Sequence, residues 1–102
     1  MNLVVLYPQP QDADQFEKDY AAHMKLLHEK TGIPNDAKPY TVTKFLAGPD
    51  GNPPFYRMFN MPFESAEALQ AAMASPGMQE VAADAHRISS GGAPTILIGQ
   101  SN

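Results

Sequence analysis

At 102 residues the chain is the size of one ordinary domain, too short for two independent cores, and its 43% apolar to 18% charged balance excludes global disorder. A net charge of -4 with no cluster of Lys or Arg leaves no footprint for a phosphate backbone, so nucleic acid is not an expected partner. There is no cysteine, which removes disulfides, thiolate metal ligands and thiol catalysis and leaves His, carboxylates, Tyr, Lys and Arg to carry any chemistry.

Leu3 to Tyr7 is an unbroken apolar run closed by Pro8 and Pro10, the pattern of a strand buried on both faces. Asp12 to Gln15 supplies acidic caps for a helical pattern that reaches about Lys30 and stops at Gly32 and Pro34. Ala37 to Leu46 is β-rich, and Pro49-Asp50-Gly51 has turn chemistry, so Phe55 to Met61 is expected as the return strand of a hairpin. Ser65 caps a second helix, which Ser75-Pro76 interrupts as a fresh cap followed by Pro at the first helical position. The second piece carries Met78, Val81, Ala82, Ala85 and Ile88 at helical spacing up to Ser89-Ser90-Gly91-Gly92, and Thr95 to Ile98 is a final apolar strand.

The order βαββαβ is that of a ferredoxin-like α+β domain over residues 1–102, a four-stranded antiparallel sheet with both helices on one face. Strands 1, 3 and 4 lack the apolar–polar alternation of a half-solvated sheet, so the helix-free face should seek a cover. A two-fold homodimer through the sheets is the expected partner. No apolar run approaches the ~20 residues that span a bilayer, and residues 1–6 lack the basic start of a signal peptide, so no membrane partner and a cytoplasmic location are expected.

At ~100° per residue the first helix gathers Phe16, Tyr20, His23, Met24 and Leu27 into one inward stripe with His23 near its centre. An imidazole there is either a structural core histidine, satisfied by a backbone carbonyl or by Tyr7 or Tyr20, or a general acid/base facing a pocket. His28 and His86 fall off the inward stripes and read as surface residues, and no pair of histidines has metal-ligand spacing. No metal site is therefore expected, and neither a phosphate loop nor a nucleophile elbow is present. Lys44 and Arg57 lie inside strand patterns, where they serve as ion-pair partners or as orienters of an anionic substrate.

The segments Gly48 to Arg57, Met61 to Leu69 and Ala74 to Gly77, with Val4 to Pro8, Tyr20 to His23 and Gly91-Gly92, resemble the EthD family, named for a protein needed in bacterial degradation of ethyl tert-butyl ether. The resemblance covers nearly the whole chain and implies a dimeric α+β barrel, two ferredoxin-like units paired sheet to sheet. It also implies a site role for the histidine at position 23. Thr31 to Pro39 is longer than the short Pro-Gly connection the family pattern suggests. Fold relatives include isomerases, polyketide cyclases, cofactor-free monooxygenases and haem proteins; a domain of this size leaves little room for haem, and no cofactor is expected. The resulting expectation is a small-molecule catabolic protein, an isomerase or cyclase with His23 as catalytic proton shuttle and Tyr7, Tyr20 and Phe59 shaping an apolar pocket for a weakly polar ring or carbonyl compound. The alternative is a non-catalytic dimeric accessory protein of an oxygenase pathway.

Overall fold

The computed structural model describes residues 1–34 and 36–100. Its elements in chain order are β1 (Asn2–Pro8), α1 (Ala13–Thr31), β2 (Thr41–Lys44), β3 (Phe55–Pro62), α2 (Ala66–Ala74), α3 (Pro76–Ile88) and β4 (Thr95–Gly99). All strand pairs are antiparallel and the sheet order is β2-β3-β1-β4, so the first strand lies inside the sheet. This is the ferredoxin-like α+β arrangement, with its second helix split in two. No helix among the described residues is long and apolar enough to cross a membrane.

Local chemistry sets the boundaries. The Asp12 carboxylate accepts the amide of Gln15 at the start of α1, and Gly32, at φ 76°, closes it with its N–H on the His28 carbonyl. Ser75 serves two helices at once: its Oγ donates to the carbonyl of Ala72, ending α2, and accepts the amide of Met78, starting α3. The β-rich stretch expected from Ala37 to Leu46 is mostly not strand. Pairing is confined to Thr41–Lys44, with one further bond from the Phe45 amide to the Tyr56 carbonyl, because Pro39 has no N–H to donate and the chain turns away after Phe45. The expected tight turn does form, with Gly48 and Gly51 exchanging both backbone hydrogen bonds around Pro49-Asp50.

Register separates the two faces of the sheet. Leu3, Val5 and Tyr7 of β1 are buried beneath the helices, together with Phe59 on β3, and Arg57, the β3 neighbour of Tyr7, is partly buried on the same side. The register skips Tyr56, because Tyr7 pairs with Arg57 and Pro8 with Phe55. This bulge turns both Tyr56 and Arg57 toward α1, where the Tyr56 ring meets Phe16 at 5.5 Å. The opposite face carries Val4 across from Leu97 and Leu6 across from Met58, with no helix among the described residues over them. At the β4 edge the apolar side chains stand exposed on both faces, Leu97 at 47% and Ile98 at 56%.

Candidate functional site

Helix α1 buries Phe16, Tyr20, His23 and Leu27 as one stripe, and α3 buries Met78, Val81, Ala85 and Ile88 against it. Where the two stripes meet, His23 Nδ1 lies 2.8 Å from Oδ2 of Asp84. The other oxygen of that carboxylate accepts from Nε of Arg87 at 2.7 Å. Arg87 thus fixes Asp84 and Asp84 fixes the ring, an arrangement that selects the tautomer with the proton on Nδ1 and leaves Nε2 as the basic nitrogen. Among the described residues Nε2 has no hydrogen-bond partner.

Burial holds the His23 imidazole below its ordinary range, and this outweighs the hydrogen bond and charge of Asp84, which pull the other way. The ring is therefore neutral at pH 7 and able to accept a proton. For Asp84, burial alone would favour the acid, but the hydrogen bonds from Arg87 and His23 overcome it and hold the carboxyl below its usual value. The dyad is a neutral base backed by a carboxylate.

His23 lines a cavity of about 40 Å³ between the helices and the sheet, walled by Leu3, Val5, Tyr7, Phe59 and Met78 among others. Tyr7 and Phe59 thus share the cavity with His23. Tyr20 does not line it; its ring packs at 5.6 Å from Tyr7 and 5.9 Å from His23, behind both. Desolvation raises the pKa of both Tyr7 and Tyr20, so each phenol keeps its proton well beyond neutral pH and acts as a donor. Beside Tyr7, the Arg57 guanidinium stacks 4.6 Å from the centre of the Tyr20 ring and pairs with the carboxylate of Glu17. Its Nε and the Tyr20 hydroxyl are both buried and without a hydrogen-bond partner among the described residues. Lys44 caps the same aromatic group at its edge, 5.4 Å above Tyr56.

His28 corrects the surface assignment. It is half-buried, with Nδ1 on the carbonyls of Ile33 and Pro34 and Nε2 2.7 Å from the Tyr40 hydroxyl, so it anchors the connection that follows α1. His86 is exposed and bonds the Ala82 carbonyl. Asp84 and Arg87 were not singled out by sequence reasoning. A signal existed: Asp84 borders the stripe formed by Val81, Ala85 and Ile88, with a cation three residues on. Among the described residues no three His, Asp or Glu side chains come together as a metal-binding group.

The fold and site define a ferredoxin-like α+β protein with a histidine–aspartate dyad over an apolar cavity. The EthD domain family matches residues 8–92, and the chain belongs to that family. Among solved structures, an ethyl tert-butyl ether degradation (EthD) family protein from Bacillus halodurans is 28% identical, with a TM-score of 0.81 over 99% of this chain and 97% of that one. An EthD-like protein from Ralstonia eutropha is 27% identical, with a TM-score of 0.66 over 97% and 88%. A dimeric ferredoxin-like protein of unknown function from Jannaschia sp. shares the fold at 14% identity, with a TM-score of 0.66 over 94% and 92%. No curated protein matches the sequence.

Proposed function

We propose that the protein acts in small-molecule catabolism as a cofactor-free isomerase or cyclase, moving a proton on a weakly polar ring or carbonyl compound. The observation that carries this reading is the neutral His23 ring, set by Asp84, beside an apolar cavity. In the proposed step Nε2 takes a proton from carbon next to a carbonyl, and the electron pair of that C–H bond moves toward the carbonyl oxygen. Asp84 stabilises the imidazolium that forms, and the Tyr7 hydroxyl donates to the oxygen as charge develops there. Return of the same proton to a different atom completes an isomerisation with no redox partner. The tyrosine suits this role because burial keeps it protonated.

The test follows exchange of α-protons for deuterium in a panel of small ketones in D2O, which reads proton abstraction whatever the final product. The wild type should accelerate exchange in at least one compound, and His23→Ala should lose ~10²–10⁴-fold of that rate. Equal rates in wild type and variant would sink the proposal. One observation favours the second reading, a non-catalytic accessory protein of an oxygenase pathway: at about 40 Å³ the cavity has room for a few waters, well short of a substrate.

A second copy of the chain is the proposed cover for the open face of the sheet. Val4, Leu6, Met58 and Leu97 form most of its centre, with Asn60 beside Val4 among them, and Thr41, Thr43 and Thr95 lie at its margins. Two such faces packed together would make a barrel, and the Jannaschia relative is described as dimeric.

A further inference from the structure

A groove of about 340 Å³ lies at the end of the helical layer, between the last turn of α1 and the α2–α3 break, and it includes Lys30, Ile33, Phe63 and Ser75 in its walls. Met78 lines this groove and also the His23 cavity. We propose that the two are halves of one elongated binding site for a neutral aryl or alkyl ketone, separated in this conformation by the Met78 side chain. The inference rests on the reading of His23 as the reactive end.

Three observations support it. The inner cavity is too small for a substrate by itself, whereas the groove already has the volume of a small-molecule site. The wall between them is an unbranched thioether, the side chain that most readily changes rotamer to admit a ligand. The backbone around that wall is pinned: the Met78 amide is held by Ser75, and a Cβ on Gly77 would stand 2.4 Å from the Lys30 carbonyl oxygen, so α3 sits directly on the end of α1. Opening must therefore come from rotation of the side chain and not from movement of the helix.

The lining selects the ligand class. Of the residues around the inner cavity only Tyr7 and His23 carry polar side-chain atoms, so a charged group there would lose its hydration without a counter-ion. A carbonyl oxygen can accept a hydrogen bond from the Tyr7 hydroxyl. An apolar body then fills the groove past Ile33 and Phe63, and any polar tail reaches the rim at Lys30, which pairs with Glu80 at 3.0 Å.

Acetophenone is a suitable probe, titrated into the intact protein while the methionine methyl and His23 ring NMR signals are followed. In the wild type, the signals of Met61 in the groove, Met78 at the wall and His23 in the cavity should shift with one common affinity. Met78→Ala should tighten binding and Met78→Phe weaken it, each by about tenfold, while Lys25→Ala, on the exposed side of α1, should leave it unchanged. Melting curves of each variant confirm folding, and Met78→Ala alone decides the matter if the larger side chain is not accommodated. Unchanged affinity in Met78→Ala, or a wild-type titration that shifts Met61 without shifting His23, overturns the proposal. The titration reads occupancy without turnover, so it can fail while deuterium exchange at His23 succeeds, and the reverse.

Discussion

The two faces of this sheet are built from the same strands and nearly the same residue types, yet they meet different fates. On β1, Leu3, Val5 and Tyr7 are at most 9% exposed beneath α1 and α3, whereas Val4 and Leu6, which alternate with them, have no helix among the described residues above them. The helix side also gathers the polar chemistry: the His23–Asp84–Arg87 relay and the Arg57–Glu17 pair both lie there. The open side has mostly apolar side chains at its centre, with Asn60 among them, and threonines at its margin. One face pairs its charged groups internally, and the other is a mostly apolar surface suited to a like surface.

Charging the open face should produce the largest effect. Val4→Asp or Leu6→Asp should abolish dimerisation and lead to unfolding or aggregation, since hiding an apolar face at ~25 cal/mol per Å² contributes several kcal/mol of a small domain's ~5–15. Sedimentation and the concentration dependence of the wild-type melting temperature check this; a wild-type monomer that folds stably at micromolar concentration would refute it.

On the helix face the effect should be smaller. His23→Ala should cost ~1–3 kcal/mol through the lost hydrogen bond to Asp84 and a small void, as measured by urea unfolding. Asp84 keeps Arg87 in that variant, so the loss should stay below that of an open-face aspartate.

Titration sharpens the contrast further, because the groups with perturbed protonation that are buried lie on the helix side. His23 is depressed from 6.5 by burial, so the unfolded chain binds its proton first as pH falls. Its contribution to stability is complete above pH 6.5 and is lost as pH drops below it, and the melting temperature should fall over that window in the wild type but not in His23→Ala. Tyr7 and Tyr20 are raised from 10.0, so their contribution is complete below pH 10 and is lost as pH rises beyond it. An alkaline melting series with Tyr7→Phe, which removes one of the two phenols, should show a shallower decline.

Periodicity was enough to read most of this architecture. The missing alternation in β1 and β3, the fresh helix start at Ser75-Pro76 and the inward direction of His23 all follow from local spacing and capping chemistry. What escaped depends on how distant segments meet. Asp84 lies 61 residues from His23, and only the crossing of α1 and α3 brings them together. The bulge at Tyr56 has no local marker, since Phe55 to Phe59 reads equally well as a regular strand. His28 appeared to face solvent because the helix pattern says nothing of the connection through Ile33, Pro34 and Tyr40 that folds back over it.

Gly91 has a reach beyond its own loop. A Cβ at that position would sit 1.8 Å from the carbonyl oxygen of Gln9, so the turn before β4 lies flat against the segment that leaves β1. The Gln9 side chain in turn donates to the carbonyls of Pro53 and Phe55, and Ser90 takes the amide of Gln11. These contacts link three connections from the beginning, middle and end of the chain into one truss at the Tyr7 end of the sheet. A side chain at Gly91 would lever the truss apart, and the strain would pass through Gln9 to the start of β3, where Tyr56 and Arg57 take their places.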